Sequence, residues 1–560
     1  MPLVTPRRGL CLLALAALVA VPALAQTVGD CETGRAQADL DVNDVNARVF
    51  NTGSLFFGNA TVAGDGYLVP KAAGLSPIFA ASLWVGGKVD GELRLVGSTY
   101  ADFEFWPGPL DAAGNPPTDC FLYDRIYRVS RGDVARYLDT GVATDDLRDW
   151  PAHLGAPVLD GDGVAGNYDL AGGDEPAISG DQMAWWVMND RGNAHVNNLT
   201  LPLGLEVRVE VFAAASLALA VNQATLYRYR IRYRGSEPLD SAYVAIFVDP
   251  DLGDPADDYV GTDTTLHMAF TYNADDDDAG GLNGGYGSRP PALGFMALRT
   301  PARLPDGRDN DGDGEVDEAG EPSELYANNV FCPDGFIGPF NALGNYRCLG
   351  GLHRDGTPVT EGGDGYMTAG DTLTTFFPGD PVTEQFWSEE NIDGTGADDP
   401  AGDRQMWPSF GPFRLEPGEE TEFTFAIPFA RGEDRLDSIV KLREAARYLQ
   451  RAYDFGLFEP QRLGADFEPT LPSAFALSRP APNPFGASAS FTLTVPEGAE
   501  TLRLAVYDVL GREVAVLADG MLAPGDHPLV LDGARLAAGV YFVRLQTQRQ
   551  TESLKLVRIE

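Results

Sequence analysis

At 560 residues the chain exceeds what one hydrophobic core usually organises, and a prior of roughly 150 residues per domain leads to an expectation of three or four compact units. Hydrophobic residues make up 44% and aromatic residues 10%, enough for substantial cores, while 64 Gly and 40 Pro interrupt the chain too often for long helices and favour an all-β body. The net charge of −41 is concentrated: the first 25 residues carry +2, residues 473–560 carry 8 basic and 9 acidic groups, and the segment between them carries −42. Such a body repels nucleic acid and anionic lipid and attracts divalent cations. Only 4 of the 41 basic residues are Lys, so a compositional habit of the source genome explains the acidity equally well, and acidity alone identifies no ligand.

The N-terminus has the form of a cleaved export signal over residues 1–25. Arg7 and Arg8 form a positive start, Leu10 to Val21 an apolar run too short to span a bilayer, and Ala23-Leu24-Ala25 a small-residue cleavage box. Cys11 lies inside the apolar run without a lipobox. Its removal leaves Cys31, Cys120, Cys332 and Cys348, an even number in an exported chain. Four cysteines allow three pairings. The short spacing makes Cys332 with Cys348 the natural local bridge, leaving Cys31 with Cys120; a zinc site finds no CxxC or nearby His pair to support it.

Between residues 26 and 453 the chain reads as an acidic β-rich body, long enough for two or more sandwich-like units and with few helices. Thr225 to Gly235 is its clearest strand: Tyr227, Tyr229, Ile231 and Tyr233 alternate with Arg228, Arg230, Arg232 and Arg234. The Arg row is either a groove for an acidic ligand or, by preference, a face neutralised by the body's own carboxylates. A turn at Gly235 to Leu239 and a return through Ala242 to Val248 predict a hairpin.

Acidic residues then accumulate. Asp249, Asp251, Asp254, Asp257 and Asp258 follow that strand directly, and such a loop repels itself unless a cation or Arg side chains neutralise it. Calcium, with six to eight oxygen ligands, is the suitable ion, against the alternative of a solvated surface. A sharper pattern stands at Asp309, Asp311, Asp313, Gly314, Asp317 and Glu318. Acids at positions 1, 3, 5 and 9 with Gly at 6 reproduce the start of an EF-hand-type loop, although position 12 is Gly320. A structural calcium site is expected there, with a weaker echo at Asp160-Gly161-Asp162-Gly163.

Near the end of the body, Phe413 to Leu415 and Glu422 to Ile427 read as a strand pair. Ser438 to Tyr453 follows as the one convincing helix, with Ile439, Leu442, Ala446 and Leu449 on one face and Asp434 or Asp437 as its cap. Residues 454–472 read as a Pro-containing linker. From Ser473 onward, short alternating segments at 491–495, 502–507, 514–517, 527–531, 540–545 and 554–559 predict a small antiparallel sandwich.

Catalytic patterns are sparse. No HExxH, GxSxG in a strand-to-helix context, or GxxxxGK[ST] occurs, which disfavours zinc hydrolysis, nucleophilic catalysis and phosphate-loop chemistry. Glycoside hydrolysis needs only two suitably placed carboxylates, and Asp181 and Asp190 beside Trp185 and Trp186 are the candidates. Aromatic loops such as Phe105-Trp106-Pro107 and Phe386-Trp387 either stack on sugars or, by preference, pack in the core.

The tail carries Pro482-Asn483-Pro484-Phe485, then Tyr507-Asp508 with Gly511-Arg512, then Gly525-Asp526-His527, then Gly539-Val540-Tyr541 with Arg544-Leu545, and last Leu554-Lys555-Leu556. This ordered series resembles the type A C-terminal sorting domain of type IX secretion substrates, over residues 473–560. The resemblance implies an immunoglobulin-like β-sandwich that serves as an address. The route is through the periplasm, with recognition by outer-membrane machinery, removal of the domain and display or release at the cell surface, often on lipopolysaccharide. The expectation is therefore a mainly β, exported protein with a calcium-stabilised, non-catalytic body. A glycan-binding adhesive module and a carbohydrate-active hydrolase stand as alternatives.

Overall fold

The structure is a computed structural model of the chain, described for residues 28–57, 66–100, 103–278, 280, 284–304, 322–331, 341–462 and, in the tail, 476–478, 480, 483–486, 488–495, 502–509, 511–520, 525–533, 536–547 and 551–559. The export signal, the 309–318 loop, Cys332, most of the linker and Pro482 lie outside these residues. The chain is mainly β and divides into two compact units, residues 1–463 and 464–560.

Two large antiparallel sheets make the body. The first runs in the order Gln37–Leu40, Asn46–Phe50, Ser54–Leu55, Ala80–Val89, Leu239–Asp249, Gln405–Leu415 and Leu325–Phe331. The second runs Asp258–Asp263, Met268–Asn273, Ala292–Arg299, Glu420–Ala430, Ala224–Tyr233, Leu205–Ala213, Gln182–Asn189 and Trp106–Pro107. One core joins them: Leu83, Val244, Ile246 and Phe410 of the first sheet pack with Trp186, Val209, Tyr227, Tyr229 and Phe425 of the second. Period-two alternation produces this arrangement, because each strand offers every second side chain to the facing sheet. Trp185 and Trp186 accordingly point to opposite faces, one into each of two different cores.

Both sheets are covered on their outer faces as well. The helix Arg435–Asp454 lays Ile439, Leu442, Ala446 and Leu449 on the second sheet, beside Trp150, Trp185 and Phe270. Asp434 caps it, its carboxylate accepting the Asp437 N–H at 2.8 Å. The helix Ala342–Leu349 places Cys348 and Leu349 against Trp84, Phe247 and Trp407 of the first sheet.

Two expected pairings are corrected. Strands 224–233 and 239–249 do not form a hairpin: they lie in opposite sheets, the former between 205–213 and 420–430, the latter between 80–89 and 405–415. The strands 405–415 and 420–430 are likewise split between the sheets. Each short connection is an arch across the sandwich, so both strands of each pair turn their apolar faces toward one another instead of lying side by side.

The tail is a separate small sandwich. Ala476–Leu477, Ser488–Val495 and Gly525–Asp532 form one sheet, and Glu513–Gly520, Leu502–Asp508, Gly539–Gln546 and Thr551–Arg558 the other. Its core holds Phe485, Phe491, Leu504, Val506, Val543, Leu545 and Leu556.

Candidate metal centre

Among the described residues, two groups of three acids bring carboxylate oxygens within 4.8 Å of one another: Asp249 with Asp251 and Asp403, and Asp160 with Asp162 and Asp174. They differ in how their oxygens are used.

Asp249 is the last residue of its strand and is buried, 6% exposed. That strand pairs antiparallel with 405–415 through Val248 opposite Met406. Continuing the register past the strand ends sets Asp249 against Gln405 and Asp251 against Asp403, which is why acids some 150 positions apart converge. Tyr100 donates its hydroxyl hydrogen to Asp249 Oδ2 at 2.8 Å, and Gln405 Nε2 donates to the Tyr100 oxygen at 2.7 Å. Asp249 Oδ1 and Asp403 Oδ1 are buried without a hydrogen-bond partner. The neighbouring Arg404 is engaged elsewhere, with Glu389 at 2.8 Å, Asp399 at 3.3 Å and the Pro400 carbonyl at 2.6 Å.

Electrostatics express the same crowding. Burial, then repulsion from Asp251, pushes the Asp249 carboxyl far above the usual range. Burial, then Asp403 and Asp254, pushes Asp251 up to about 7, and burial raises Asp403 despite Arg404. Three carboxylates in this position cannot all remain charged without a counter-ion.

The rest of the acidic segment serves other ends. Asp254 accepts the Ala256 N–H at 3.1 Å and caps a short turn. Asp258 is wholly buried and accepts the Leu252 N–H at 3.0 Å, while its Oδ1 has no partner. Burial pushes Asp257 up to about 6. Asp278, absent from the sequence reading, brackets the loop by accepting from the N–H groups of Asp254 at 3.0 Å and Tyr286 at 2.6 Å.

In the second group Asp174 supplies the acid missing from the 160–163 echo, but its oxygens accept the N–H groups of Gly161 at 2.8 Å and Asp169 at 2.7 Å, which hold its carboxyl low. Asp160 and Asp162 are exposed and accept from Gly163 and Val164. This is a loop staple.

The remaining candidates resolve into structure. Glu210 receives Arg228 at 2.9 Å and also Arg230, Glu206 receives Arg234 at 3.5 Å, and Glu422 receives Arg230 at 3.4 Å, so carboxylates from both neighbouring strands pair with Arg228, Arg230 and Arg234 of the row. Asp190 is fully buried and accepts the N–H groups of Leu203 at 2.6 Å, Gly204 at 3.0 Å and Leu205 at 2.7 Å; Asp181 accepts from Ala215 at 2.9 Å. The strand Gln182–Asn189 lies between them, so roughly 30 Å separates their backbones. Paired glycosidase carboxylates stand about 5–10 Å apart. Phe105, Trp106, Trp185, Trp186 and Trp387 are all buried, but Phe386 is exposed, against the expectation that it packs in the core. Cys31 and Cys120 form a disulfide packed on Trp106. Cys348 is a free thiol that burial pushes up to about 12; its expected partner Cys332 lies outside the described residues.

In the tail, the motif residues build the sandwich. Asn483 accepts the Val557 N–H at 2.8 Å and donates to the Lys555 carbonyl at 3.1 Å, while Phe485 is buried and pairs through its backbone with Val557 and Ile559. With Pro484 between them, these residues clamp the terminal strand. Gly511, at φ +77°, permits the turn in which Arg512 Nε meets Asp508 at 2.7 Å. Arg544 lies 5.0 Å over the Tyr507 ring, Tyr541 donates to the Ala537 carbonyl at 2.7 Å, and Leu545 is buried near the end of the strand Gly539–Gln546.

Comparison with curated proteins finds no match. Among solved structures, a polysaccharide lyase is 10% identical over 63% of this chain and 34% of its own, with a TM-score of 0.20. The BSP domain of a biofilm-associated protein is 9% identical over 97% of this chain and 84% of its own, with a TM-score of 0.15. The chain thus spans about a third of the lyase, and at these scores neither likeness bears on fold or function. The family model described as the secretion system C-terminal sorting domain matches residues 481–560. Since the described residues of that stretch form a sandwich closed by the clamp of Asn483 and Phe485, the tail is a type IX C-terminal sorting domain, and the chain that carries it is a secreted or cell-surface protein.

Proposed function

We propose that the chain travels through the periplasm to the type IX machinery, is displayed or released outside the outer membrane, and there presents a non-catalytic body stabilised by calcium. The sorting domain carries the export half of this reading. The observation that supports the calcium half is the pair of buried, unpartnered carboxylate oxygens on Asp249 and Asp403. The 309–318 loop, with Asp309, Asp311, Asp313, Asp317 and Glu318, is proposed as a further calcium site on its sequence pattern alone. Surface lipopolysaccharide is the proposed anchor.

Deleting residues 473–560 tests export: the body should stay inside the cells, and a body still found outside would refute the route. A melt of the mature chain with calcium and with chelator tests the metal, since a ligand bound by the native state must raise stability. Turnover of a polysaccharide that is lost in Asp181→Asn would displace the non-catalytic reading.

A further inference from the structure

We propose that Asp249, Asp251 and Asp403 form one calcium site, a staple that joins the exit of strand 239–249 to the approach of strand 405–415. The assignment rests on the reading of the body as calcium-stabilised, and it selects one donor set that the spacing of the acids in sequence does not reveal. An acidic cluster alone would not suffice, since exposed carboxylates are common. Here Asp249 is more than nine-tenths buried and its Oδ1 has no hydrogen-bond partner, while Asp403, itself half-buried, also has a buried Oδ1 without one and brings a carboxylate oxygen within 4.8 Å of those of Asp249 and Asp251. A buried acceptor without a donor is costly, and two in one group of three carboxylates point to a ligand that accepts no hydrogen bonds and carries positive charge.

The donors are all oxygens, which suits a hard cation. The site mixes a rigid part with a looser one: Asp249 is fixed by Tyr100, while Asp251 sits half-buried in the loop after the strand. Calcium tolerates such irregular geometry and completes its shell with water, whereas magnesium requires near-octahedral placement. Three monodentate acids without a bidentate Glu favour a dissociation constant on the order of 10⁻⁴ to 10⁻³ M, the range of extracellular calcium modules. At such an affinity the staple fills only where calcium is abundant, outside the cell.

The placement has a structural consequence. Residues 250–257 carry the chain from the first sheet to Asp258–Asp263, the edge strand of the second. A cation held by both strands at one end of the pairing between 239–249 and 405–415 pins the start of that crossover.

The test uses the mature chain, with calcium, magnesium or chelator, comparing the native protein with Asp403→Asn and Asp251→Asn. Tryptophan fluorescence follows melting and calorimetric titration counts bound calcium. The expected signature is a crossing. In chelator each variant melts at or above the native protein, because one repelling charge is gone; in calcium each melts below it, with one fewer ion bound and affinity at that site down at least about tenfold. Calcium binding and stabilisation that both variants retain in full would overturn this donor set while leaving a calcium-stabilised body intact. No calcium binding by the native protein would overturn both readings. Equal destabilisation of the variants in calcium and in chelator would mark the acids as structural hydrogen-bond acceptors and overturn the staple.

Discussion

Replacing Glu210 by Gln is expected to destabilise the body by about 3 kcal/mol, near the low end of the range for breaking a buried ion pair. Its side chain is 2% exposed and that of Arg228 is 5% exposed, with 2.9 Å between their charged atoms. Gln retains the shape and one acceptor but leaves the Arg228 guanidinium, stacked 5.1 Å from the Phe212 ring, without its nearest countercharge. Glu422 at 3.7 Å and Glu459 at 3.5 Å compensate partly, which is why the lower figure is appropriate. All seven Trp residues lie in the body, so urea unfolding followed by their fluorescence reads this unit and not the tail. Combining Glu210→Gln with Arg228→Met should recover much of the loss and give a coupling energy of about 2 kcal/mol. Glu433→Gln is the control: its partner Arg289 is 3.7 Å away and both are exposed, so the change should stay below about 0.5 kcal/mol. A loss under about 1 kcal/mol for Glu210→Gln, or a coupling near zero, would refute the claim that Glu210 and Arg228 form a buried, stabilising ion pair.

Three further outcomes are expected. Converting Cys31 and Cys120 to Ser opens a loop with a sequence separation of 89 and should lower body stability by about 2–4 kcal/mol in urea unfolding. Asn483→Ala removes both hydrogen bonds to the terminal strand and should cost the tail about 1–2 kcal/mol, read as faster amide exchange over 551–558 with Trp fluorescence unchanged. In chelator, Asp251 has its folded pKa raised to about 7 against an unfolded value of about 4, so the native state binds the extra proton between those values. Stability is then greatest at the acid end of that window and falls as pH rises toward 7, and Asp251→Asn should flatten the slope; a slope of opposite sign in the native protein would contradict the crowding of the three acids.

Alternation made the faces of strands legible and left their partners hidden. Period alone places Tyr227, Tyr229, Ile231 and Tyr233 on one face, and they do enter the core. Yet strands 224–233 and 239–249 are joined by five residues, a length that suits a hairpin, and the same alternation is satisfied equally when the second strand arches over to the opposite sheet. The helix and the tail strands were legible because their signals are local: 3.6-residue periodicity in one case, alternation between turn residues in the other. Charge compensation was not local. Glu206 and Glu210 on one neighbouring strand and Glu422 on the other meet the Arg row only through strand register, which sets Glu210 against Arg228 and Glu422 against Arg230. Asp403 was hidden for the same reason: nothing near it in sequence resembles a metal loop, and it becomes a candidate only once Val248 is set opposite Met406. A cluster of acids along the chain therefore identifies where charge must be neutralised, whereas the donors that converge on one point follow from strand register. That distinction separates Asp249 and Asp251, which face Asp403 across two paired strand ends, from Asp254, which turns an oxygen to the backbone of its own loop.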